Sequence, residues 1–384
     1  MLEWVQSQGN GFNLKTLATA AEYGQLHVLE WFYTHTNKFE TTYDESQERI
    51  WPLIVTSAAK HGHIAIIEWL SELIETDWEQ ECCTVAAKHG QLKLLKWFKE
   101  HDYVEYNSPV TLSAAVEAEQ EKIITWLIRN DAEFDSEVCA VAAAKGNRTV
   151  LELGKQNWTD NTSRNAAKHG HFEVLKWLLE NGCATSDITS SAAEGGHLEI
   201  LQWLVSSGHP LSDYCGTCAV KGGNLDMIRW LDSKGIECEI SDCEIAVKQD
   251  HLEILKWLKN KLNCKQLNFS LMEKATPQSS NELIMWVSEN CEWDSADYNV
   301  WSNLADRGYF ETLSQILEKH PSYLAWGTIA ESATSHGHIN ITKWALKNSV
   351  QIIDFLLETS AAEHTDSAYP LFAWISKQIV PTDK

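Results

Sequence analysis

Basic side chains are in short supply in this sequence. Lysine and arginine number 31 against 54 aspartates and glutamates, a formal charge of −23. Binding to a phosphate backbone relies on neutralising cations, so this balance argues for solubility and against nucleic acid as a partner. Long apolar runs are also missing. No stretch approaches the roughly 18 apolar residues that a membrane span requires, and the opening MLEWVQSQGNGF has no basic segment followed by an apolar one. Neither a membrane partner nor a secretory leader is expected. Ten cysteines in 384 residues are too dispersed for a disulfide scaffold. They suit a reducing compartment, cytoplasmic or nuclear. The phosphate-binding G-x-x-x-x-G-K-[ST], the zinc-protease H-E-x-x-H and the nucleophile elbow G-x-S-x-G are all absent. With no strand-rich region to hold a catalytic pocket, neither an enzyme nor a cofactor is expected.

What the chain has in abundance is one phrase, rewritten. Residues 166–183 read AAKHGHFEVLKWLLENGC, 192–210 read AAEGGHLEILQWLVSSGHP, 58–70 read AAKHGHIAIIEWL and 86–98 read AAKHGQLKLLKWF. The tryptophan of this phrase recurs at Trp4, Trp31, Trp69, Trp97, Trp126, Trp177, Trp203, Trp230, Trp257, Trp286, Trp344 and Trp374, with Leu153 and Gln315 at the same phase where it is missing. A fixed period of this kind marks a repeat architecture, which grows by stacking units rather than by enlarging one core.

Each unit reads as two short helices. In one copy the first covers about 189–194, and its alanine pair, Ala192 and Ala193, permits close approach of a neighbouring helix. Gly196 ends it. The second covers about 197–206, with Leu198, Leu201 and Leu204 at helical spacing and Ile200 and Trp203 widening the apolar stripe. Such a pair cannot bury its apolar face alone, so successive units must stack. The expected fold is an all-α curved solenoid of stacked antiparallel helix pairs, with tryptophan and leucine in its core.

The pattern A-A-x-x-G-H-x-x-(V/I)-L-x-W-L-x-x-x-G resembles the ankyrin repeat, with Trp177 where that family usually has an aliphatic residue. Ankyrin repeats run to about 33 residues, whereas the steps from Trp177 to Trp203, Trp230 and Trp257 are 26, 27 and 27. The chain is therefore similar to the shortened ankyrin-like repeats of large protist and DNA-virus arrays, in which hairpin fingers between units are reduced or absent. The resemblance covers nearly the whole sequence. It implies one solenoid over 1–384: an orphan helix at 1–10, about twelve helix pairs over 14–350, and a divergent capping repeat at 351–384. A polar, acidic insertion at 34–51 reads as a loop, either a tolerated insertion or a functional one. Several units depart from the pattern. Glu119 replaces a turn glycine, the unit ending at Leu153 lacks its tryptophan, and Pro277 follows Ala275.

Two residue sets suggest metal binding. The pairs His61/His63, His169/His171 and His336/His338 straddle the glycine turn, but no third or fourth ligand recurs with them. The resemblance implies another role for the second histidine of each pair, a hydrogen bond to the neighbouring repeat. Cys215, Cys218, Cys238 and Cys243 can be drawn as a four-cysteine zinc site, yet the repeat register places Cys215 and Cys218 on a first helix, where small buried residues pack. No metal is expected.

The most informative positions are the two between the alanine pair and the turn glycine. In ankyrin-like proteins they end the first helix and face the concave, partner-contacting surface. Here they include Glu22, Tyr23, Lys60, His61, Lys88, His89, Lys145, Lys168, His169, Lys221, Lys248 and Arg307, with seven cations against four acids counting Glu117, Glu194 and Asp306. Cations are favoured at a helix C-terminus in any case. A locally basic stripe also fits an acidic segment of a protein partner. The expected function is a monomeric, non-enzymatic protein-interaction scaffold. Its alternatives are a substrate-recognition subunit for ubiquitin ligation and an acidic mimic that occupies a nucleic-acid-binding protein.

Overall fold

The computed structural model describes residues 14–36, 50–73, 79–102, 104–263, 267–268, 271, 274–275, 279–292, 298–319 and 326–348. These residues form an all-α, helical-repeat fold of 23 α-helices. The expected N-terminal helix at 1–10, residues 37–49 of the insertion, Pro277 and the C-terminal cap at 351–384 lie outside the described residues. The chain divides into two compact units, Met1–His209 and Pro210–Lys384.

The first unit holds seven helix pairs: Leu14–Glu22 with Leu26–Thr36, Ile50–His61 with Ile64–Ser71, Glu79–Lys88 with Leu92–Glu100, Pro109–Glu117 with Glu121–Ile128, Ser136–Ala144 with Arg148–Leu153, Asp160–Lys168 with Phe172–Glu180, and Ile188–Gly195 with Leu198–Ser206. Helix intrudes on the inserted stretch from both ends, covering 34–36 and 50–51. First helices pack directly on the first helices of adjacent repeats. The alanine pairs make this possible, for Ala58, Ala59, Ala86, Ala87, Ala166 and Ala167 are fully buried and hold neighbouring backbones close. The second helices supply the larger apolar groups. Leu201 and Leu204 have no exposed surface, nor do Leu175 and Leu178 one repeat earlier. Each such side chain contributes roughly 1.5–3 kcal/mol on burial.

Tryptophan does not sit where the sequence suggests. Trp177 and Trp203 are only half-buried, whereas Trp97 at 9 % is an exception. Around a second helix the tryptophan lies to one side of the buried leucines, so its ring covers the seam between repeats. There it meets an aromatic group of the preceding repeat: Tyr33 on Trp69 at 6.0 Å, Trp158 on Trp177 at 5.1 Å and Phe172 on Trp203 at 5.3 Å, all edge to face. Where Leu153 stands in place of tryptophan, the helix stops after six residues. Leu153 is left 54 % exposed, and the following loop delivers Trp158, whose indole nitrogen donates to the carbonyl of Leu151.

The second unit repeats the plan with Cys215–Gly222 and Leu225–Ser233, Ser241–Lys248 and Leu252–Lys261, Tyr298–Asp306 and Phe310–Lys319, and Trp326–Ser335 and Ile339–Asn348. Between the second and third of these, the helix Asn281–Asn290 has no α-helix just ahead of it among the described residues. Here alone the described structure departs from pure helix. Leu267–Asn268 and Cys291–Glu292 form a two-residue parallel ladder. Both segments follow a second helix, so stacking lays them side by side in the same direction.

Candidate functional site

The turn between the two helices of a repeat is also the joint between repeats. Glycine takes the left-handed conformation there, as at Gly146 with φ +66°, and the next residue turns its side chain back toward the preceding repeat. His63 Nε2 donates to the carbonyl of Glu22 at 2.8 Å, His171 to Ala144 at 2.8 Å, His251 to Lys221 at 3.4 Å and His338 to Asp306 at 2.7 Å. Gln91 and Gln120 make the same bond with Nε2, to Lys60 at 2.8 Å and Lys88 at 3.3 Å. The last carbonyls of an α-helix have no partner within it. Here the following repeat caps them.

Side-chain length decides which helix is served. Asn147 and Asn224 hold the same position but are shorter, and each caps its own second helix, accepting from Val150 N at 3.2 Å and Met227 N at 2.9 Å. The H-x-H pairs are thus joints. His63, His171 and His338 spend Nε2 on carbonyls, while His169 and His336 bond their own helices through Nδ1. Among the described residues no group of three or more His, Cys, Asp or Glu is arranged to hold a metal ion. Cys215 and Cys243 are buried, and Cys218 and Cys238 half-buried.

The residues that end the first helices are brought into rows, as their register predicts, but the rows are largely self-neutralising. In the first unit His61 faces Glu22 at 3.6 Å, Lys88 faces Glu117 at 3.2 Å, Lys145 faces Glu119 at 3.5 Å and Lys168 faces Glu194 at 3.1 Å. Stacking puts equivalent positions side by side, so charges that alternate along the sequence become neighbours across it. The excess of cations counted in the sequence is thereby reduced at the surface. Lys60, His61, Lys88 and His89 still gather at the ends of two successive helices. The pKa of His89 is lowered, first by loss of solvent about its ring and then by the charges of Lys60, His61 and Lys88. Tyr23 is 68 % exposed at the head of this row. In the second unit Lys221 and Lys248 are exposed, and His336 faces Asp306 at 3.2 Å. Arg307 departs from the expectation: it is half-buried, with its Nη1 enclosed and without a hydrogen-bond partner among the described residues.

Two shallow clefts open at turns of this kind. One of about 310 Å³ lies in the first unit between Glu119 and the segment Lys145–Thr149. Another of about 370 Å³ lies in the second unit between Gly308 and the segment Gly337–Ile341. No described helix is long and apolar enough to cross a membrane.

Comparison with known proteins fits this geometry. A family model described as ankyrin repeats (many copies) matches residues 190–231, which take in most of Ile188–Gly195, all of Leu198–Ser206 and the start of the second unit. This stretch has ankyrin-type repeats. No curated protein matches the chain. Similar solved structures include the pentatricopeptide repeat protein PPR10 in complex with an 18-nucleotide psaJ RNA element, at 11 % identity over 97 % of this chain and 60 % of that one, with a TM-score of 0.37. PPR10 from maize is similar at 12 % identity over 100 % of this chain and 71 % of that one, with a TM-score of 0.33. The chain spans about three-fifths of the length of the RNA-bound PPR10 it matches. A likeness this distant assigns no ligand, but it corrects one expectation. A helical-repeat protein holding RNA stands among the similar structures, so the exclusion of nucleic acid is withdrawn. That exclusion rested on net charge, a sum over the whole chain, whereas a ligand meets only the face it touches.

Proposed function

We propose that the chain is a non-catalytic scaffold of shortened ankyrin-type repeats that binds another protein through the residues ending its first helices. One observation carries this reading. At a single structural position, exposed and in register with the repeat, side chains differ between groups of copies: Glu22 and Tyr23 in the first, Lys60 and His61 in the second with the same pair at 88–89 and 168–169, Glu117 in the fourth, and Lys248 and Gln249 in the second unit. The groups around them, the alanine pairs and the cross-repeat histidines and glutamines, are held nearly constant by packing. Variation on a constant frame is what a recognition surface needs. The ankyrin match over 190–231 supports the family side of the reading.

The test is site-directed photocrosslinking in cell extract. A photoreactive residue is placed at Tyr23, His89 or His169, and for comparison at Glu199 on a second helix. A shared protein crosslinked from the first three positions and not from Glu199 supports the proposal, and Tyr23→Ala with His89→Glu should then weaken its capture. Equal crosslinking from Glu199, or crosslinks to RNA alone, overturns it.

A further inference from the structure

Three of the second helices carry an acid–base pair on their outer face, and the third and fourth repeats carry cations there instead. The second residue of the helix and the residue three positions on are an acid and a base that pair on its outer face: Glu173 with Lys176 at 3.2 Å, Asp226 with Arg229 at 3.5 Å and Glu253 with Lys256 at 2.7 Å. In the third repeat the same two positions are Lys93 and Lys96, and in the fourth they are Lys122 and Thr125. An attraction has become a repulsion, since like charges three apart on a helix are neighbours. Lys99 and Arg129 continue the basic surface, and all five cations are exposed. Among the described residues none of Lys93, Lys96, Lys122 and Arg129 has an ion pair. Lys99 Nζ donates to Asn130 Oδ1, which ties the ends of the two helices together and sets their outer faces side by side.

We propose that this outer face, on the helices Leu92–Glu100 and Glu121–Ile128, docks a short acidic segment of a protein partner. It is a second surface, distinct from the first-helix row, and it rests on the scaffold reading only in taking a protein as the partner. Its dimensions select the occupant. Nine helical residues extend about 13 Å, and two packed helices add about 8–10 Å of width. An extended segment rises about 3.3 Å per residue, so about four residues fill the face. Glu68 and Glu152 hold the Lys96 position in the repeats on either side, and both are exposed. A long polyanion would have to cross them. A short run of carboxylates fits among the five cations, with Glu100 and Glu121 at the edges of the face.

The experiment uses the full chain and a fluorescein-labelled oligoglutamate of about six residues, read by anisotropy in dilute buffer and at 0.15 M salt, where screening acts within about 8 Å. An oligouridylate of equal charge is the second probe. Saturable peptide binding is expected, weakened roughly tenfold or more by Lys93→Glu with Lys96→Glu and Lys122→Glu, and almost unchanged by Lys256→Glu. Circular dichroism should show all variants folded, since every substitution is on an outer face. Absence of saturable peptide binding overturns the proposal, as does equal binding by the triple variant. Tighter binding of oligouridylate than of oligoglutamate overturns it in favour of a nucleic-acid face. Crosslinks from Tyr23 and His89 report on the first-helix row alone, so failure of that reading is seen separately.

Discussion

His171 donates from Nε2 to the carbonyl oxygen of Ala144, 2.8 Å away, and Ala144 is the last residue of a helix belonging to the preceding repeat. A bond that would ordinarily be a local cap has been moved between units, so that one repeat completes the helix of another. In a stacked array, stability sums what each unit contributes alone and what each pair of neighbours contributes together. This hydrogen bond belongs to the second kind.

Replacing the ring tests that assignment. A net hydrogen bond of this type contributes about 0.5–1.5 kcal/mol, and His171→Ala should lose about that much. The loss should appear as faster hydrogen exchange in Ser136–Ala144, the helix that loses its cap, as well as within the mutated repeat. His171→Gln should keep most of the stability, because Gln91 and Gln120 already make the equivalent bonds. A glutamine variant as unstable as the alanine variant would show that the ring's packing, and not its donor, is what matters.

Gly146 and Gly208 separate the two demands a turn makes. Both have positive φ, +66° and +91°. A Cβ at Gly146 would stand 2.7 Å from His171 Nδ1, whereas one at Gly208 would meet nothing within 4 Å. Gly208→Ala should therefore cost only the left-handed backbone penalty, about 1–2 kcal/mol. Gly146→Ala should cost more, because the imidazole must also shift and its bond to Ala144 is strained. Thermal unfolding of the two variants side by side gives the difference. Equal losses would mean that the ring yields freely.

Much of this was legible in the sequence, because repetition separates the constant from the incidental. The alanine pairs, the turn glycines and the bridging histidines could be read from their recurrence, and Ile188–Gly195 and Leu198–Ser206 fall within a residue of their expected limits. What escaped were properties of neighbouring copies. Lys88 and Glu117 are 29 positions apart in the chain and 3.2 Å apart in space, so a tally of charges in the row overstated how basic it is. Trp203 belongs to the apolar stripe but lies to one side of Leu201 and Leu204, so its ring meets Phe172 at the seam. That Trp158 would stand in for the tryptophan missing at Leu153 depends on a helix ending one turn early, which no local pattern announces. The cations of the third and fourth repeats did leave a signal, a lysine at position 93 where several other copies carry an acid, visible once the three paired copies are set beside it.

The thiols give a prediction with a definite sign. Burial, then the charge of Asp135 and the neighbouring Cys183, pushes the Cys139 thiol up to about 11, and burial with Asp242, Asp232 and Cys243 nearby pushes Cys238 up to about 12. The thiolate is the reactive form, so iodoacetamide at pH 8 should leave both residues unmodified in the native protein and alkylate both in denaturant. A pKa raised by folding means that the folded state favours the protonated thiol. That contribution is whole below about pH 9 and is lost as pH climbs through the folded values, so native labelling should begin only on the alkaline side. Rapid native labelling of Cys238 at pH 8, followed by peptide mass spectrometry, would contradict the burial that underlies both shifts.

Glu119 is the last test, because it sets backbone strain against an ion pair at one position. It occupies the turn that Gly90 and Gly146 hold in the adjoining repeats, with φ +55°, a conformation that costs a residue bearing a Cβ about 1–2 kcal/mol. In return its carboxylate reaches Lys145 at 3.5 Å. Both groups are substantially exposed, and such pairs are worth about 0–1 kcal/mol. Strain outweighs the pair, although glycine gives back some of the gain by loosening the unfolded chain. Glu119→Gly should therefore raise stability by about 0.5 kcal/mol, while Glu119→Ala, which keeps the strain and loses the pair, should lower it by about the same. Denaturant midpoints for the two variants decide which effect is stronger. If glycine and alanine prove equally destabilising, the contact with Lys145 governs this turn and the left-handed backbone is of little consequence there.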